Sequence, residues 1–277
     1  MLKRILVVLD DSEASKAAKT YAMHLAKNCD ASLTGMAVVD TPWITAAQPE
    51  PLGGSAYKIH RDQELVRRTR AHMEKMLESF VERCNQEEIK CSTSEREGFP
   101  VTEIEKISQE HDLIVIGRTT DFHFELDREN DLTVKHITRD SPRPLIIVGP
   151  LPSQGETVLI AYDGSLQAAR TLHMYLLLGL ADDHKVHIIS IARHPQEAKD
   201  IAGRAQTMCE LYGIKPTVKA ITSTRPAEEI ITTTAKEVQA NLIVMGAFGH
   251  QGIREFFFGS CAQHMIKKSD IPLFIYH

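Results

Sequence analysis

The chain has 277 residues, 43% hydrophobic and 25% charged, a length most simply read as two domains at about 100–200 residues each. Its formal net charge of −5 argues against a general nucleic-acid binder, which needs a basic face for the phosphates. Five cysteines without a Cys-x-x-Cys pair argue for reduced thiols rather than a zinc or redox motif, no stretch approaches ~20 apolar residues, and the apolar run at residues 5–9 is too short for a signal peptide, so the expectation is a cytoplasmic protein that does not engage the membrane.

In chain order, short apolar runs predict strands at about 4–9, 32–39, 89–95, 112–117 and 144–149. An insertion at residues 41–57, rich in Pro, Gly and Ala, precedes a long helix expected to turn Ile59, Val66, Met73, Leu77 and Phe80 inward. After the Pro/Gly-rich stretch at 149–155 (GPLPSQG), strands are predicted at about 157–162, 186–192, 216–221, 241–246 and 272–276. Between the first two of these, Leu166, Ala169, Leu172, Leu176 and Leu180 share one helical face.

The landmarks of the first half recur in the second. Residues 3–12 (KRILVVLDDS) parallel 156–165 (ETVLIAYDGS), and 112–118 (DLIVIGR) parallel 241–247 (NLIVMGA). Each half closes on an apolar run after proline, PLIIVG and PLFIY. One unit has been duplicated, with domains at 1–150 and 156–277. Continuous apolar strands separated by amphipathic helices indicate an α/β fold in which a parallel sheet is covered on both faces, each half being a five-stranded doubly wound unit.

In such sheets ligands bind beyond the carboxyl ends of the strands. In the second half Asp163 ends the first strand and Gly246 the fourth, after which the chain reads G-A-F-G-H-Q-G-I-R-E-F-F-F-G-S. Glycines let backbone N–H groups approach an anion, and Ser260 opens the next helix, so its hydroxyl and the first free N–H groups form an anion site. Asp163 is placed to accept hydrogen bonds from a ribose or base.

Gly-x2-Gly-x9-Gly-Ser after an apolar strand, with a strand ending in Asp-x-Ser upstream, resembles the nucleotide-binding motif of the universal stress protein family. The resemblance covers nearly the whole chain, twice, as in the tandem type. It implies Rossmann-like units of strand order 3-2-1-4-5 that pair as an intramolecular pseudo-dimer through their last strands. It also implies ATP or AMP, with or without Mg²⁺, held between the first and fourth strands. Carried over, Asp163 meets the nucleoside end, Ala161 and Tyr162 line that strand end, and Ile191 offers backbone groups to the adenine. Met245 and Gly246 lie along the ribose, while Gly249, Gly259, Ser260 and Cys261 form the phosphate cradle.

The first half departs from this pattern. Asp10, Ser12, Val38 and Gly117 sit at corresponding strand ends, but Thr120 replaces the second glycine and Asp131-Leu132 the Gly-Ser pair. The loop 119–131 carries five carboxylates against Arg128 alone, a charge that opposes a triphosphate, so no ATP is expected there. Residues 1–152 hold 20 Lys+Arg and 25 Asp+Glu, whereas 153–277 hold 12 of each.

Neither a P-loop nor a kinase-type catalytic loop is present, and no catalytic or metal-ligating residue is assigned. His250 and Arg254 are the loop's candidate base and cation, and Cys261 is a buried small residue before it is a redox thiol. His111 and Asp112 are expected to cap a helix end. The expected function is regulatory nucleotide binding in a stress response, acting on a protein partner, with a further homodimer left open. The alternatives are a slow ATPase of the same fold and a scaffold that binds no nucleotide.

Overall fold

The computed structural model describes residues 1–46, 55–120, 122, 133–151, 155–182, 184–247 and 259–277. The first half runs β1 (Arg4–Val8), α1 (Glu13–Cys29), β2 (Ser32–Val39), α2 (Thr41–Ile44), α3 (Ser55–Gln86), β3 (Cys91–Glu97), α4 (Pro100–Ser108), β4 (Leu113–Gly117), α5 (Thr133–Asp140) and β5 (Leu145–Val148). The second half runs β6 (Thr157–Ala161), α6 (Leu166–Leu177), β7 (Lys185–Ala192), α7 (Pro195–Leu211), β8 (Thr217–Thr222), α8 (Ala227–Glu237), β9 (Leu242–Gly246), α9 (Ser260–Lys268) and β10 (Leu273–Tyr276).

All ten strands form one sheet, in the order β3-β2-β1-β4-β5-β10-β9-β6-β7-β8. Each half contributes the order 3-2-1-4-5 with parallel neighbours. The halves meet where β10 runs antiparallel to β5, placing Phe274 opposite Ile146 and Leu273 opposite Ile147. The last strands therefore pair edge to edge, as the resemblance implied.

Central strands are apolar throughout because both their faces are covered. Ile5, Leu6, Val7 and Val8 are all buried, and each large apolar side chain removed from water contributes about 1.5–3 kcal/mol. The outer strands β3 and β8 are mostly exposed and polar, which discourages another strand from adding there. The two leading helices start alike: Ser12 accepts from the Ser15 amide and Ser165 from the Ala168 amide, each at 3.1 Å. These serines follow the aspartates at the ends of β1 and β6, so the Asp-x-Ser repeat encodes a strand end and a helix cap together.

The long helix α3 packs through Met73, Leu77 and Phe80, but Ile59 is 59% exposed. Leu166 is likewise exposed while Leu172 and Leu176 are buried. Both outliers lie in the first turns of their helices, Leu166 as the first residue of α6, and periodicity in a sequence continues whether or not an opposing surface does. Of the two residues expected to cap α4, only His111 does so, through Nδ1 and the Ile107 carbonyl at 2.8 Å. Asp112 instead accepts from the Lys3 and Arg4 amides at 2.8 and 2.9 Å, fixing the start of β1.

Candidate functional site

The carboxyl ends of β6 and β9 form the crevice of the second half. Beyond β6 the Tyr162 amide donates to the Ile189 carbonyl at 3.0 Å, and Ser190 Oγ donates to the Tyr162 carbonyl at 2.8 Å. The chain then turns at Gly164, with φ of +77°, a conformation that glycine adopts without strain. Asp163 sits on this turn, its Oδ1 accepting from the Ser165 amide at 2.9 Å. The turn presents the carboxylate at the mouth of the crevice.

A cavity of about 120 Å³ opens there. Ala161, Tyr162 and Asp163 line it from the end of β6, Ile191 from β7, and Met245 and Gly246 from the end of β9. Gly259 and Cys261 close it from the start of α9. Ser260 does not line the cavity and is exposed as the first residue of α9. Gly249, His250, Arg254 and the aromatic run 256–258 lie outside the described residues, as do most of loop 119–131 and the middle of the 41–57 insertion.

Four further residues complete the lining: Ile189, Ala227, Ile231 and Ala262. Nothing in their residue types singles them out, although Ile189 lies two positions before Ile191 on one face of a strand, and Ala227 and Ile231 share one face of a helix. Asp163 is the single carboxylate among the described lining residues, with no Lys or Arg. Such a surface suits a flat, weakly polar ring with a few hydrogen-bonding edges. The N-terminus of α9 carries no side-chain cap among the described residues, and the first N–H groups of a helix are donors that an anion can use.

A cation missed from the sequence stands on the other side of Asp163. Arg204 of α7 places a guanidinium nitrogen 2.8 Å from where a Cβ on Gly164 would be. Arg204 and Asp163 share a wide, open depression of about 980 Å³ whose rim mixes Lys199 with Glu197 and Asp200. The Tyr162 phenol is raised by burial, opposed by the nearby guanidinium and reinforced by Asp163. The Cys261 thiol is pushed up to about 12, by burial first and then by Glu228 and Asp163. That thiol is neutral near pH 7, the state expected of a packing residue rather than a redox sensor.

The equivalent strand ends of the first half are arranged differently. Asp10 is buried and turned onto Ser12, accepting from its amide at 3.1 Å and its hydroxyl at 2.7 Å. Phe122 is buried, within an apolar cluster that runs through both halves. Thr120, where the motif would have its second glycine, is buried with its hydroxyl unpaired. Among the described residues no cluster of three His, Cys, Asp or Glu side chains is arranged to hold a metal ion. His264 is exposed, and its counterpart His136 lies 3.3 Å from the Arg139 guanidinium. No described helix is long and apolar enough to cross a membrane.

The sequence profile of the universal stress protein family matches residues 1–125 and 155–277. Universal stress protein Slr1230 of Synechocystis sp. is 25% identical over 98% of this chain and 99% of its own length. Universal stress protein MJ0531 of Methanocaldococcus jannaschii is 26% identical over 41% of this chain and 65% of its own. A universal stress protein from Archaeoglobus fulgidus superposes with a TM-score of 0.72 at 20% identity, over 99% of this chain and 97% of that one, a likeness of fold.

Proposed function

The chain belongs to the universal stress protein family, and from that premise we propose that its second half, residues 156–277, binds ATP or AMP at the carboxyl ends of β6 and β9. The observation that carries this reading is the cavity joining Asp163, Ile191, Met245 and Gly246 to the start of α9. The apolar cavity takes the nucleoside end, with Asp163 accepting from the ribose or base. The α9 N-terminus, Gly259, Ser260 and Gly249 hold the phosphates. Mg²⁺ accompanies the ligand when it is ATP.

The first half, residues 1–150, does not bind ATP in this mode. Its second motif glycine is replaced by the buried Thr120, and Asp131-Leu132 stands for the Gly-Ser pair, which removes backbone donors from the loop. Its loop adds like charge where a triphosphate would lie. The protein acts in the cytoplasm as a regulatory module, not as an enzyme. No Lys or Arg is among the described residues lining the cavity, and a transferring phosphoryl group is stabilised by cations. Nucleotide shifts the packing or partner affinity of the tandem pair only as far as it binds one state better than another.

The test is calorimetric titration of ATP–Mg²⁺ into the full chain and into Gly259→Val. Gly259 has φ −58° and ψ 143°, a backbone conformation open to valine. One site per chain, lost in the variant, supports the proposal. Absence of heat and of any melting shift with the wild-type protein overturns it.

A further inference from the structure

The pseudo-two-fold relation between the halves is broken at their seam, at Leu2 and Gly155. In the first half Leu2, two residues ahead of β1, is fully buried, and its amide donates to the Leu178 carbonyl just past α6 at 2.9 Å. Its counterpart two residues ahead of β6 is Gly155, at φ +140°. The residue of α1 equivalent to Leu178 is Leu25. Gly155 and Leu25 both line a cavity of about 570 Å³ between the halves. Where a leucine plugs the seam on one side, a glycine leaves it open on the other.

This cavity lies away from the carboxyl-end crevice and shares no lining residue with it. Its volume is within the ~300–1,000 Å³ of small-molecule sites. The floor is apolar, from Ile146 and Val148 of β5 and Leu242 of β9. At the antiparallel junction the counterparts of Ile146 and Val148 are the bulkier Phe274 and Tyr276. Tyr21 of α1 lines it with a hydroxyl that bonds no other described residue, and burial raises that phenol well above its usual range. The one charged side chain that is not a histidine is Glu13, already paired with Lys16 at 2.6 Å. Among the described lining residues no Lys or Arg offers itself to a phosphate or carboxylate.

We propose that this inter-half cavity is a second ligand site, taking an uncharged, mainly apolar ring compound with one hydrogen-bonding end directed at Tyr21. A ligand seated there touches both halves at once, Tyr21 and Leu25 from one and Leu180 and Leu242 from the other. Its binding therefore resists their separation.

The experiment titrates 1-naphthol, an uncharged aromatic alcohol, into the full chain by equilibrium dialysis with fluorescence readout. Saturable binding of one probe per chain is expected. Gly155→Leu restores the missing plug, and Ala17→Phe fills the cavity from α1 without a strained backbone; each should weaken binding by about tenfold or more. Tyr21→Phe should weaken it by about threefold, the scale of one modest hydrogen bond. Gly259→Val, at the nucleotide crevice, should leave it unchanged, so this proposal and the nucleotide proposal fail separately. Non-saturable uptake by the wild-type chain overturns the proposal. Saturable binding that Ala17→Phe leaves intact, in a variant that melts like wild type, overturns it equally.

Discussion

A Cβ on Gly246 would stand 2.8 Å from the Ala168 amide nitrogen, and one on Gly117 would stand 2.6 Å from the amide nitrogen of Ser15, the equivalent residue of the other half. In each half the leading helix begins directly against the end of the fourth strand, and only glycine leaves room for its backbone. The glycine ending β4 and β9 is thus required by packing, independently of any ligand. Gly246→Ala and Gly117→Ala should each destabilise by about 1–3 kcal/mol, the usual cost of overpacking, seen as a lowered urea midpoint. An unchanged midpoint would show that the helix moves away freely. Binding lost on substituting Gly246 is therefore weaker support for a nucleotide than binding lost at Gly259.

Leu2→Ala should cost about 2–5 kcal/mol, as expected for emptying a fully buried leucine site. The backbone bond from the Leu2 amide to the Leu178 carbonyl crosses the seam and survives the substitution, so what is lost is the side chain's packing, and earlier unfolding of both halves is expected. Equilibrium denaturation read separately at Trp43 and by far-ultraviolet circular dichroism tests this. A wild-type midpoint by both probes would mean that Leu2 contributes nothing to the seam.

Stability should fall as the medium is acidified, partly through His111. Its Nδ1–H donates to the Ile107 carbonyl, so in the neutral ring Nε2 accepts from the Thr34 hydroxyl at 2.9 Å. Burial holds the imidazole's pKa below the usual 6.5, although the Ile107 contact opposes this. The unfolded chain therefore takes up this proton first. The neutral ring's stabilisation is complete above about pH 6.5 and is lost as the pH falls towards the folded value. Between about pH 7.5 and pH 5.5, His111→Gln should lose less stability than the wild type. Equal losses would remove His111 from the account.

Cys261 should be unreactive. Raising its thiol from 9.0 to about 12 leaves a thiolate fraction roughly a thousandfold smaller at neutral pH. Peptide mapping after a timed iodoacetamide pulse should find Cys261 labelled far more slowly in the native chain than in urea. Comparable rates would mean that the start of α9 admits solvent to the sulfur.

Much of the fold was legible because strand and helix carry different periods, and continuous runs such as ILVV and LIVIG specify strands covered on both faces. The Asp-x-Ser repeat fixed the equivalence of the halves. Periodicity misled at Ile59 and Leu166, because a helix pattern does not mark where its packing partner starts. In the crevice the sequence pointed to the glycines and Asp163, the residues with distinctive chemistry. Ile189, Ala227 and Ile231 were indistinguishable from core, since an apolar side chain looks the same in sequence whether it meets protein or a cavity. Arg204 was invisible for another reason: only the fold brings α7 beside the turn at Gly164.

Fusing the halves changes what their junction can permit. The connection from Val148 to Thr157 is short, so β5 and β10 meet at a high effective concentration that dilution of the protein does not lower. In a symmetric assembly of two separate identical chains, every contact across the axis occurs twice. A leucine at the seam would plug both sides, and a glycine would open both. Covalent linkage removes that constraint, leaving each half free to drift alone. One can lose the glycines of its loop while the other keeps a crevice, without either becoming dependent on finding a partner.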